Sequence, residues 1–86
     1  MKQYVLNGQN MLTREAAHDE IALALEMPAH YGRNLDALWD ELSCLQGEII
    51  LVHADSLAAM GEYGEKLLEA FREAEEANPQ LTLHLR

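Results

Sequence analysis

The chain has 86 residues, a length suited to one domain with one modest hydrophobic core. Its hydrophobic fraction of 49% argues against intrinsic disorder, and no apolar run approaches the roughly 18 residues that predict a membrane span. Fifteen acidic against six basic residues give a formal net charge of −9, which disfavours a nucleic-acid partner and favours a cationic one.

The first third of the chain predicts a strand followed by a helix. Residues 3–6 are typical of a strand that ends at the Asn7-Gly8 turn. Thr13 is a suitable N-cap for a helix over about 14–26, and Pro28 disfavours its continuation. The apolar face of this helix comprises Ala17, Ile21, Ala24 and Leu25.

A loop and a second amphipathic helix follow. The loop spans residues 28–34 (PAHYGRN), and Asn34 is a good N-cap for a helix over about 35–44. The buried stripe of this helix is predicted to comprise Leu35, Leu38, Trp39 and Leu42.

The remaining elements are a central strand, two helices and an edge strand. Residues 49–52 are continuously apolar, as in a well-covered strand. Asp55 or Ser56 is the expected cap of a short helix near 56–60. Gly61 and Gly64 are expected to interrupt the chain before a helix over about 64–77. The alternating residues 81–85 predict an edge strand.

Strands separated by helical segments imply parallel pairing through right-handed crossovers. The predicted fold is therefore α/β: a three-stranded parallel sheet in order 1-2-3 with about four helices in two layers. Residues 1–86 form one unit, because no linker or repeat divides them.

A polar row borders the apolar stripe of the second helix on the Trp39 side. Asp36 and Asp40 lie one turn apart, and Ser43 continues the row. Asp36 is explained by the helix dipole, whereas Asp40 stands in mid-helix, where it repels Asp36 slightly. The row is either a solvated face or a binding surface.

The cellular location is predicted from the cysteine content and the N-terminus. Cys44 has no second cysteine to pair with, which favours a reducing compartment. The segment MKQYVLNGQN lacks the basic start and apolar stretch of a secretory signal. We expect a cytoplasmic protein.

The run Pro28-Ala29-His30-Tyr31-Gly32-Arg33-Asn34-Leu35-Asp36-Ala37-Leu38-Trp39-Asp40-Glu41-Leu42 closely resembles the loop and second helix of the barstar family. The resemblance extends to Phe71-Arg72-Glu73-Ala74 and to the closing strand, and it covers nearly the whole chain. It implies a barstar-like fold, no catalytic activity and no cofactor. The implied function is intracellular inhibition of a small, basic, extracellular-type ribonuclease of the microbial guanyl-preferring class, in a 1:1 complex.

The same resemblance implies which residues bind the ribonuclease. Asp40 matches an aspartate that occupies the phosphate site of the cationic cleft, and Asp36 and Glu73 match more peripheral acids. Tyr31, Asn34 and Leu35 match loop positions that fill the cleft, and Ser43 matches a small hydroxylated contact. The other glutamates of the last helix are interpreted as solvated surface. His30 and Leu45 depart from the family, which has a tyrosine and a tryptophan at these positions. His30 is nevertheless expected to contact the partner, at the position of the family's tyrosine.

Other classes of function receive uneven support from the sequence. The histidines at 18, 30, 53 and 84 raise the hypothesis of a metal site, but no ligand spacing supports zinc. An enzyme using Asp36 and Asp40 as an acid/base pair lacks a glycine-rich phosphate loop and a nucleophile–base pair. A barstar-fold module that binds another toxin or an unrelated cationic partner remains an alternative, because the same acidic face suits any cationic cleft.

Overall fold

The computed structural model describes residues 2–86. In chain order they form β1 (Gln3–Asn7), a 3-10 turn (Gly8–Asn10), α1 (Arg14–Ala24), α2 (Leu35–Cys44), β2 (Gly47–Val52), α3 (Ala54–Ala59), α4 (Glu62–Ala77) and β3 (Leu81–Leu85). The three strands are parallel, in the order β1-β2-β3. The predicted α/β fold with four helices is thereby confirmed.

The helices cover one face of the sheet. The side chains of Leu6, Ile49 and Leu51 point into the core and are fully buried. Val5 on the opposite face is exposed, while Ile50 in the central strand is half-buried. Only the inner face of the sheet therefore contributes to the main core.

Both predicted N-caps of the long amphipathic helices are confirmed, but the first helix ends earlier than predicted. The Thr13 hydroxyl accepts a hydrogen bond from the amide of Ala16 at 3.1 Å. Helix α1 ends at Ala24 rather than near residue 26. There Glu26 adopts a left-handed φ of 54°, and the Met27 amide donates to the Ala22 carbonyl at 3.0 Å. This is a Schellman ending formed without glycine.

Two predictions about α3 and α4 are wrong. Helix α3 starts at Ala54 after His53, which has a φ of 54° and provides no side-chain cap, so neither Asp55 nor Ser56 is the N-cap. Gly64 does not interrupt the chain but lies inside α4, where an added Cβ would overlap the Leu57 carbonyl. Gly64 thus allows α3 and α4 to pack closely.

Helices α2 and α4 pack against each other. Leu38 and Leu42 of α2 and Leu67 and Phe71 of α4 are fully buried. Trp39, predicted as core, is half-buried and packs against the edge of the core. This contact brings the polar row of α2 beside α4.

Candidate functional site

The loop of residues 28–34, the predicted binding loop, is attached to the core through Tyr31. Tyr31 is 8% exposed, and its hydroxyl lies 2.7 Å from Nδ1 of His18. The other ring nitrogen of His18, Nε2, lies 2.6 Å from the hydroxyl of Tyr63 in α4. His18, Tyr31 and Tyr63, the His18 cluster, therefore connect α1, the binding loop and α4.

Burial changes the proton affinities within the His18 cluster. Desolvation, followed by the positive charges of Arg14 and Arg33, lowers the pKa of His18. Desolvation also raises the pKa of the Tyr31 hydroxyl, with Tyr63 and Glu41 adding to the effect. Both shifts favour the neutral cluster at physiological pH.

Two further contacts hold the end of the binding loop. The Arg33 guanidinium forms an ion pair with Asp19 of α1, and Arg33 has a left-handed φ of 56°. The Asn34 side chain accepts from the Ala37 amide at 2.8 Å and donates to the Gly32 carbonyl at 3.2 Å. One asparagine thus caps α2 and closes the loop.

The polar row of α2 is exposed along its length. Asp36 and Asp40 are exposed, and so is Ser43. The Ser43 hydroxyl donates its hydrogen to the Asp40 main-chain carbonyl at 2.7 Å. Ser43 therefore offers a partner acceptor lone pairs only, whereas both carboxylates face solvent.

A groove of about 360 Å³ runs between α2 and α4. It is lined by Leu35, Asp36, Trp39, Lys66, Glu69, Ala70 and Glu73. Apolar surface from α2 and α4 forms part of the wall, and carboxylates from both helices surround it. Asp36 and Glu73, far apart in sequence, therefore belong to one surface.

Glu69 of α4 is exposed, consistent with the interpretation of the other α4 glutamates as solvated surface, and it lines the groove together with Glu73. The neighbouring Glu69 side chain is the main cause that raises the pKa of Glu73. Slight desolvation and the charges of Glu69 and Glu76 add to the shift. The i, i+4 spacing of Glu69 and Glu73 in the sequence already indicates that their side chains are neighbours on α4.

Comparison with known proteins assigns the chain to a family. The family described as "Barstar (barnase inhibitor)" matches residues 1–85. The chain belongs to the barstar family. A curated relative from Bacillus subtilis (strain 168), named "Putative ribonuclease inhibitor YrdF", is 35% identical over 83 aligned positions, and the match covers 88% of each chain.

The eight positions that the barstar resemblance selected divide into two groups by environment. His30, Asp36, Asp40 and Glu73 are exposed, and Leu35 lines the groove half-buried. Tyr31 is buried, whereas Asn34 and Ser43 are exposed but use their side chains in hydrogen bonds within the chain. The first group forms an outward surface. In the second group, Tyr31 supports that surface from the core, and Asn34 and Ser43 bond the backbone beside it.

The four histidines lie in separate surroundings. His84 Nε2 lies 3.2 Å from a Glu48 carboxylate oxygen, His18 is buried between tyrosines, and His30 and His53 are exposed. Within residues 2–86, no three histidine, cysteine or acidic side chains are grouped as metal ligands. In the same residues, no helix is both long and apolar enough to cross a membrane.

Proposed function

We propose that this barstar-family protein inhibits a small basic ribonuclease by occupying its cationic active-site cleft. The observation that carries the proposal is the exposed acidic surface formed by Asp36 and Asp40 of α2 and Glu73 of α4, beside a binding loop anchored to the core. Membership of the barstar family and the name of the Bacillus subtilis relative support a ribonuclease as the target.

Inhibition follows from charge mimicry. A ribonuclease cleft that holds RNA phosphates presents Lys, Arg and His side chains. Carboxylates accept strong, charge-assisted hydrogen bonds from such groups. Asp40, in the middle of α2, would occupy the phosphate position, with Asp36 and Glu73 nearer the edge. None of these groups offers a phosphodiester to cleave, so the complex blocks substrate without turnover. We propose a 1:1 complex, formed in the cytoplasm with a barnase-like enzyme.

The anchored binding loop would reduce the cost of association. A flexible loop loses conformational entropy when a partner orders it, which weakens binding. Here the His18–Tyr31 hydrogen bond, the Arg33–Asp19 ion pair and the Asn34 cap hold the loop before any partner arrives. The loop would therefore meet the cleft in its bound shape.

An inhibition assay tests the proposal. The purified protein is titrated against a panel of basic microbial ribonucleases while cleavage of a fluorescent RNA is followed. We expect cleavage by at least one enzyme to be abolished at equimolar protein, with no cleavage by the protein alone. Undiminished cleavage by every enzyme at large molar excess would contradict the proposal. Binding of a different cationic protein would then favour the alternative partner.

A further inference from the structure

The His18 cluster contains a titratable ring between two elements of the proposed binding surface. His18 is 1% exposed, and both of its ring nitrogens are within hydrogen-bond distance of tyrosine hydroxyls. Neutral imidazole has one N–H donor and one acceptor nitrogen. One hydroxyl must therefore donate to the ring, while the other accepts from it. This arrangement requires the neutral ring.

Protonation would disrupt this arrangement. Imidazolium has two N–H donors and no acceptor, so the hydroxyl that donates to neutral His18 would lose its acceptor. A buried polar hydrogen without a partner is costly, and so is a buried cation. Where Tyr31 is that donor, with the single ring proton of neutral His18 on Nε2, its hydroxyl would have to turn away from the ring or move with the binding loop.

The charged groups around His18 also oppose a positive charge on its ring. Arg14 and Glu15 of its own helix and Arg33 of the binding loop line the same small cavity of about 250 Å³. Arg33 is paired with Asp19. Tyr63 of α4 lies under the Arg14 guanidinium, whose carbon is 5.1 Å from the centre of the ring. Glu41 of α2 acts on Tyr31 rather than on His18. Of these charged groups, Arg14 and Arg33 are the ones that act on His18, and both disfavour its protonated form.

We propose that neutral His18 is a positioning residue for the binding loop, and that its protonation in mild acid releases the loop and weakens inhibition. The first half of this inference, that His18 positions the loop, can be measured without a ribonuclease. Only the second half, that loop release weakens inhibition, rests on the proposed function. The apparent Kd equals the intrinsic Kd divided by the fraction of molecules with the loop in place. Acid would therefore weaken binding in proportion to loop release.

NMR on the free full-length protein tests the first half. The His18 ring nitrogens and the backbone amides of Tyr31, Gly32 and Arg33 are followed from about pH 7.5 to about pH 5, the range in which histidine titrates. We expect a neutral His18 tautomer at the upper limit and loop shifts that follow His18 titration. Loop amides that stay fixed while His18 titrates would overturn the proposal.

Three variants separate positioning from general stability. His18→Gln retains a donor and an acceptor but does not titrate, so the loop amides should lose their pH response. Tyr31→Phe keeps the ring in the core and cuts the link to His18, so His18 titration should no longer move the loop. Tyr4→Phe, a change in another buried tyrosine outside the cluster, should retain the wild-type response. An unchanged response in Tyr31→Phe would overturn the proposal even if His18→Gln fails to fold.

Affinity for an inhibited ribonuclease tests the second half. Between about pH 7.5 and about pH 5, the Kd of the wild type should rise about two- to tenfold more than that of His18→Gln. The ratio of the two proteins cancels titration of the enzyme and of the exposed carboxylates. Equal pH dependence would overturn the link to inhibition. A pH-responsive loop without binding to any ribonuclease would support the positioning role and contradict the proposed function instead.

Discussion

Asp40 lies exposed in the middle of α2, where no contact within residues 2–86 requires a carboxylate and where Asp36 one turn away repels it slightly. Asp40→Asn keeps the shape and should leave folding intact. If Asp40 fills the phosphate position, the variant should lose at least about 2 kcal/mol of binding free energy, or about 30-fold in Kd. Calorimetric titration with the inhibited ribonuclease measures this loss.

Asp55→Asn is the matched control, because Asp55 is also an exposed aspartate but belongs to α3, outside the acidic surface of α2 and α4. Its effect on Kd should be small, as expected for a charge outside an interface. Equal losses in the two variants would mean that the acids act only through their summed field.

Glu69 and Glu73 share a surface on which their charges repel. The raised pKa of Glu73 means that the folded protein holds this proton more tightly than the unfolded chain does. The contribution of Glu73 to the free energy of unfolding is therefore fully present below its pKa in the unfolded chain. It is lost as the pH rises through its pKa in the folded protein. Glu69→Gln should lower the pKa of Glu73, measured by NMR titration of the side-chain carboxyl carbon. An unchanged value would show that Glu69 is not the cause.

Among the elements, α2 depends on Asn34 both for its first turn and for the end of the binding loop. Asn34→Ala should cost about 1 kcal/mol of unfolding free energy, as other lost N-caps do, and should also weaken ribonuclease binding. Thr13→Ala removes the corresponding cap of α1 and should cost a similar amount without changing Kd. Urea unfolding and binding titrations compare them. If both variants bind the ribonuclease with equal affinity, the Asn34 cap does not contribute to the binding site.

The contact between α3 and α4 gives a prediction of unusual sign. Glycine to alanine inside a helix normally stabilises by about 0.5–1 kcal/mol. At Gly64 the added methyl group would overlap the Leu57 carbonyl, so Gly64→Ala should instead cost about 1–3 kcal/mol, the usual range for overpacking. Chemical denaturation of this variant is the measurement, and increased stability would contradict the close packing.

Local chemistry explains why much of this fold was predictable from sequence. The caps at Thr13 and Asn34 bond amides three residues away, so the sequence shows them directly. The left-handed Glu26 gives no such signal, because glycine is the usual residue there. Gly64 indicates a helix break by propensity, and only the packing of α3 shows that the glycine is required within the helix.

The interior of the candidate site was less predictable than its surface. The acids at Asp36 and Asp40 follow from helix spacing, and Glu73 follows from the family resemblance. The hydrogen bonds of His18, in contrast, join residues 13 and 45 positions apart, so no spacing rule reveals them. Tyr31, a predicted contact, is therefore understood as a buried anchor only once α1 and α4 are packed.

For the whole molecule, net charge and surface shape have different roles. A formal charge of −9 attracts a basic protein from a distance, and salt screens that attraction over about 10 Å at 0.1 M. The electric field of this net charge speeds association with a basic protein but does not determine which site on that protein is bound. We assign the choice of the active-site cleft to the acidic surface beside the anchored binding loop. Tests of active-site occlusion therefore need constant ionic strength.

Competition between the protein and a nucleotide for the ribonuclease cleft tests the central claim most directly. The Kd is measured with rising concentrations of a nucleotide that occupies the active site, while chloride keeps the ionic strength constant. Occlusion predicts that the apparent Kd rises linearly with nucleotide concentration, with one protein bound per enzyme. An apparent Kd that stays constant after the nucleotide has saturated the cleft would contradict the account, because the protein would then bind elsewhere on the enzyme.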